Sequence, residues 1–105
     1  MLVRVPVSYS REQAKAVNPE WDRLLDEWKA TGIYITSFAF PGEGYVVAGA
    51  AREITKGIVV ADNLKVVSNI FLQAVSIEEA VEQAKKCPIL AYGGTVEVRE
   101  IPPRA

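Results

Sequence analysis

Glu43 stands between two glycines in the stretch PGEGYVV, two residues before Tyr45. A carboxylate on so bare a turn, with a phenol beside it, has the parts of a general base and a hydroxyl donor. Asp62, Asn63 and Lys65 in ADNLK bring together the donors and acceptors that hold a small anion or a carbonyl. Arg52 and Lys56, at the two ends of REITK, supply positive charge for an acidic ligand. Trp21 has a ring to stack on an aromatic one, although Trp21, Leu24, Leu25 and Trp28 fall at i, i+3, i+4 and i+7, the stripe of a core-facing helix. The candidates are therefore Glu43 and Asp62 for catalysis, and Trp21, Tyr45, Arg52, Lys56 and Asn63 for ligand binding. Each has a plainer alternative: a solvated turn glutamate, a loop leading into a strand, a solvated hairpin, a core tryptophan.

Many chemistries are excluded. The chain has no histidine, which removes Ser-His-Asp and Cys-His catalysis and the commonest metal ligand. Cys87 is its one cysteine, so neither an intrachain disulfide nor a thiolate zinc site can form, and a reducing, cytoplasmic setting is expected. Cys87 falls at a helix C-terminus, away from the positive dipole end that activates thiols, and reads as a packing residue. The carboxylates lack metal-binding spacing. GEGYVV is no nucleotide fingerprint, since Val47 stands at the third glycine position and a strand follows. No metal and no cofactor is expected. Twelve basic and thirteen acidic residues leave a net charge of −1, without the basic clusters of nucleic-acid binders. The apolar runs are far short of the ~20 residues that cross a bilayer, and the start MLVRVPVSYS lacks the apolar core of a secretion signal. No membrane partner is expected. The composition, 50% hydrophobic and 24% charged over 105 residues, is that of one soluble domain over 1–105.

The candidates must be placed by strands and helices that the pattern outlines. Leu2 to Ser8 alternates around Val3, Val5 and Val7 and predicts a strand. Ser10 with Gln13 makes a capping box ahead of a short helical turn. A longer helix is then expected from an Asn18 cap, with Pro19 in first position and Gly32 as its stop. GIYITSFAF, apolar on both faces, predicts a strand covered on both sides. Tyr45–Val47 and Arg52–Thr55 suggest a hairpin, followed by a wall of Ile58-Val59-Val60 and Val66-Val67 with Asp62-Asn63 crossing between them. Val66 to Val75 is a further strand. Ser76 and Glu79 cap a short helix that ends at Cys87-Pro88, and GGTVEVREI supplies the last strand. This order is an α+β, ferredoxin-like split βαβ pattern, two helices on one face of an antiparallel sheet. No third long helix is available for the other face, so pairing with a second copy is expected.

SIEEAVEQAKKCP and GGTVEVREI, together with the tryptophan-bearing helix that stops at Gly32, resemble the YCII-related family in its DGPF branch. The likeness covers most of residues 18–101 and implies a dimeric α+β barrel. The Asp-Gly-Pro-Phe motif that marks the branch aligns with Lys56, Gly57, Ile58 and Val59, of which the glycine alone matches. In the YCII branch proper, a first-helix histidine works with a loop carboxylate. Those positions fall near Trp21 and at Glu43 or Gly44, so that pair is incomplete here and its acid/base reaction is not expected.

The leading expectation is a small cytoplasmic homodimer that binds a small molecule or a protein partner between helices and sheet without turnover. The alternatives are a lyase or isomerase with Glu43 or Asp62 as base and a tyrosine or Arg52 as electrophile, and an assembly module whose dimer is its function.

Overall fold

The computed structural model describes residues 1–40 and 42–102. Strand β1 (Leu2–Pro6) leads into helix α1 (Arg11–Ala30), β2 (Tyr34–Ala39), a hairpin of β3 (Gly44–Ala48) and β4 (Glu53–Gly57), a two-residue β5 (Val60–Ala61), and β6 (Leu64–Leu72). Helix α2 (Ile77–Ala84), a 3-10 helix (Pro88–Tyr92) and β7 (Thr95–Glu97) follow. The principal strands lie in the order β2-β6-β1-β7, with β5 on β6, and every pair is antiparallel. This is an α+β arrangement of two helices with an antiparallel sheet, compatible with the ferredoxin-like pattern.

Helix α1 differs from the expectation. It is continuous from Arg11 to Ala30, with Pro19 inside it, rather than a short turn and a second helix capped by Asn18. The reason is local. Ser10 Oγ accepts from the Gln13 N–H at 3.1 Å while Gln13 Oε1 accepts from the Ser10 N–H at 2.9 Å, a complete capping box that starts the helix there. Pro19 removes one hydrogen bond, the one the Lys15 carbonyl would accept, but both residues are exposed, so that oxygen is open to solvent. Val17, Leu24 and Trp28 are buried by α1, and that burial holds the helix through the proline.

The core is made by Val3, Val5, Leu24, Trp28, Ile70, Cys87 and Ile89. Trp28 Nε1 donates to Gln83 Oε1 at 2.9 Å, and Lys86 Nζ reaches Glu27 at 2.9 Å, so α1 and α2 are bound side by side. The 3-10 helix, which the sequence pattern does not announce, buries Ile89 and ends on Gly93 with φ 81. Gly94 follows, buried where Arg4 and Ile89 pass.

Two irregularities turn side chains toward the helices. Between β1 and β6 the register steps from Val3↔Ser68 to Arg4↔Val66, leaving Val67 as an extra residue. Between β2 and β6 it steps from Tyr34↔Leu72 to Thr36↔Phe71, leaving Ile35 extra. Tyr34 and Ser37 thereby come together, hydroxyl to hydroxyl, at 2.6 Å.

The β3–β4 hairpin forms its own two-stranded sheet off the main one. Tyr45, Val47 and Ile54 are 70%, 62% and 71% exposed, and the register puts Tyr45 opposite Lys56 and Val47 opposite Ile54. The radius of gyration, 15.3 Å, exceeds the roughly 13 Å of a compact chain of this length, as a projecting arm requires. Among the described residues, no helix is long and apolar enough to cross a membrane.

Candidate functional site

Helix α1 and the sheet leave a gap along the helix face that carries Ala14, Asn18, Trp21 and Leu25. The gap is a cleft of about 460 Å³. Its apolar floor includes Val3, Val5, Ile70 and Ile89, and one wall is a helical stripe of Arg11, Ala14, Asn18, Trp21 and Leu25. The spacing of that stripe, 3-4-3-4, keeps all five on one face of α1. Opposite them the bulge on β6 delivers both Val67 and Ser68, and Lys65 lies at the strand's beginning. The chain segment 37–40, at the end of β2, completes the lining.

Some polar groups of the lining are committed elsewhere. The Ser10 hydroxyl caps α1, and Ser37 pairs with Tyr34. Arg11, Asn18, Lys65, Ser68 and the Tyr9 hydroxyl have no side-chain hydrogen-bond partner or ion pair among the described residues. Tyr9 packs edge-on against Tyr92, with ring centroids 6.3 Å apart. Burial first, then the neighbouring Tyr92 and Glu20, push its phenol above the ordinary tyrosine value, so at neutral pH it is an uncharged donor. No carboxylate is among the described residues that line the cleft.

A second groove of about 650 Å³ runs along Phe71, Leu72, Val75, Ile77 and Val98 to Ile101. Its polar groups are largely spent. Ser76 accepts from the Glu79 N–H at 3.1 Å as the cap of α2, and Arg99 pairs with Glu97. Those hydrogen bonds from Arg99, and then from Arg4, hold the Glu97 carboxyl below the usual carboxylate range.

The sequence candidates are scattered by the fold. Trp21 alone lines the α1 cleft, and it also packs against the core. Glu43 is exposed at the base of the hairpin, with Tyr45 and Lys56 opposite each other one step further along. Arg52 sits at the far end, in the loop after Gly49, with φ 54 and its guanidinium donating to the Ala50 carbonyl at 3.3 Å. Asp62 and Asn63 form the two-residue turn between β5 and β6, both at positive φ as a type I′ turn requires. The Asn63 carbonyl accepts from the Val7 N–H at 2.9 Å. Of the group around Asp62, Lys65 is the one that reaches the cleft. Arg11, Asn18 and Ser68 have no counterpart among the sequence candidates. The signal for the first two lay in the stripe 11-14-18-21-25, visible only when α1 is read as one helix from Ser10.

Cys87 is buried, and desolvation pushes its thiol up to about 12, as an inert packing residue would show. Among the described residues no group of His, Cys, Asp and Glu is arranged to hold a metal ion. No family model matches the chain, and comparison with curated proteins and with solved structures returns no match.

Proposed function

We propose that the protein is a YCII-like homodimer that binds a small molecule in the α1 cleft and does not turn it over. The observation that carries this reading is the cleft itself: about 460 Å³, an apolar floor, and a rim of uncommitted donors. That combination of concavity, apolar lining and a few convergent polar groups is how small-molecule sites are built. Retention rather than reaction fits its chemistry, since the polar groups present are hydroxyls, an amide and two fixed cations.

The dimer is a packing of two open sheet faces, the dimeric α+β barrel. The helices cover the side of Val3, Val5 and Ile70, and alternation puts Leu2, Val66, Phe71 and the 57% exposed Phe38 on the other. A cytoplasmic setting agrees with a lone buried thiol.

Native mass spectrometry of freshly purified protein tests the reading. The expected species is two chains plus a small mass that leaves on gentle activation, the extra mass being lost in Ala14→Trp, which fills the cleft from α1. A dimer that carries nothing and gains nothing from a metabolite mixture refutes the binding role, and a stable monomer refutes the barrel.

A further inference from the structure

Thirteen acidic residues are spread over the chain, five of them on α1 (Glu12, Glu20, Asp22, Asp26 and Glu27), yet none lines the cleft that α1 borders. Two cations do. Arg11 opens α1 and Lys65 stands near the start of β6, so they approach the mouth from opposite walls. Elsewhere four cations are paired: Arg4 and Arg99 with Glu97, Lys85 with Glu82, Lys86 with Glu27. Arg11 and Lys65, like Lys15, Arg23, Lys29, Arg52 and Lys56, have no such partner among the described residues, and they are the two cations that line the cleft. Behind them the floor is aliphatic, and flat rings stand on its sides at Tyr9 and Trp21.

We infer that the cleft takes a small organic carboxylate with a flat, apolar body. The carboxylate lies between Arg11 and Lys65, with the hydroxyls of Tyr9 and Ser68 and the amide of Asn18 as further donors, and the body rests on Val3, Val5, Ile70 and Trp21. Arg11 provides a planar fork that meets both oxygens of a carboxylate, while Lys65 supplies a point charge that follows the ligand. Aromatic bodies are favoured by the ring-lined walls, against which offset or edge-on contacts form. Among the described residues no Asp or Glu stands in the lining, and Glu20, whose charge reaches Tyr9, lies outside it, so a carboxylate ligand meets Arg11 and Lys65 as its charged contacts.

This inference rests on the small-molecule reading above and names the ligand class for it. The test uses an isosteric pair, 2-naphthoate and its neutral analogue 2-naphthamide, titrated calorimetrically into the full chain. The expected result is binding of naphthoate at least tenfold tighter than the amide, as a charged hydrogen-bonded head group gives. Added salt should narrow the gap. Arg11→Gln with Lys65→Gln should abolish the preference while leaving naphthamide affinity within about twofold; the control Lys15→Gln, on the exposed side of α1, should leave both unchanged. Equal affinity for the two compounds, or a preference that survives the double substitution, overturns the carboxylate assignment and leaves the cleft as a site for neutral ligands. Binding of neither compound, with no change in the tryptophan emission, overturns the assignment together with the small-molecule reading.

Discussion

Gly94 is the tightest point of the fold, and replacing it measures how rigidly the floor of the cleft is held. A Cβ built there lies 2.6 Å from Ile89 Cγ1, 2.7 Å from the Arg4 carbonyl oxygen and 3.0 Å from the Ile89 carbonyl oxygen. Carbon contacts are ordinarily about 3.5–4.0 Å, so the first overlap is close to 1 Å. Two of the three atoms are backbone. Arg4 is paired to β6 on one side and β7 on the other, so its carbonyl cannot retreat without breaking a ladder. Overpacking costs about 1–3 kcal/mol where side chains can give way, and more where they cannot. Gly94→Ala is expected to cost about 3 kcal/mol, a fall in Tm of roughly 15 °C for a domain this size. Two other glycines serve as graded controls. Gly93→Ala meets only Pro6 Cγ at 3.4 Å but must hold φ 81, a left-handed penalty of about 1–2 kcal/mol. Gly42→Ala meets nothing within 4 Å and should be neutral to within ~0.5 kcal/mol. Urea titration followed by tryptophan fluorescence, with unchanged m-values, gives all three numbers. Gly94→Ala within about 0.5 kcal/mol of the parent, or less costly than Gly93→Ala, refutes the close-packing account.

Trp28→Phe removes both ring volume and the bond to Gln83, and should cost about 2 kcal/mol; a double-mutant cycle with Gln83→Ala should return a coupling of about 1 kcal/mol for the bond. Cys87 should resist alkylation at pH 8 in the native protein and react at once in guanidinium. Its native rate should still be climbing with pH beyond 10, because the thiolate forms only near 12. The same raised value makes the thiol's contribution to stability full below the unfolded pKa of roughly 8.5 and lost as pH rises toward 12, at most about 1.4 kcal/mol per unit. Glu97 has the opposite sign. Its lowered carboxyl contributes above the ordinary glutamate pKa, and that contribution is lost as pH falls through the native value, so the stability difference between parent and Glu97→Gln should be flat at neutral pH and shrink in acid.

Local rules made much of the architecture legible. Val3 and Val5 are buried as the alternation in MLVRVPV requires, Ser10 with Gln13 starts α1 as a capping box, and Ser76 caps α2 through the Glu79 N–H alone. The Tyr45 hairpin and the Asp62-Asn63 crossing are where glycine, asparagine and aspartate chemistry puts them. Pro19 misled, because a proline's one lost hydrogen bond is a local cost and the burial that offsets it is tertiary. The 3-10 helix at Pro88–Tyr92 was hidden for a similar reason: five residues carry too little periodicity to register. The cleft was least legible. Its lining depends on a bulge that presents Val67 and Ser68 together, on Gly94 bringing the 3-10 helix against β1, and on residues sixty positions apart meeting across a gap. Flanking glycines drew attention to Glu43 and positive charge to Arg52, whereas nothing local marks Arg11, whose place on the cleft face follows from reading α1 as one helix.

The pairing of β1 also sets an order of events during synthesis. Its two neighbours are β6 and β7, so Val3 finds Ser68 only after sixty-odd residues have followed it, and Val96 after more than ninety. At translation rates of about 5–20 residues per second, β1 waits roughly 3–13 s with its valines unpaired before β6 is made. Helix α1, begun by its own capping box, is available to shelter Val3 and Val5 during that interval, before any sheet exists.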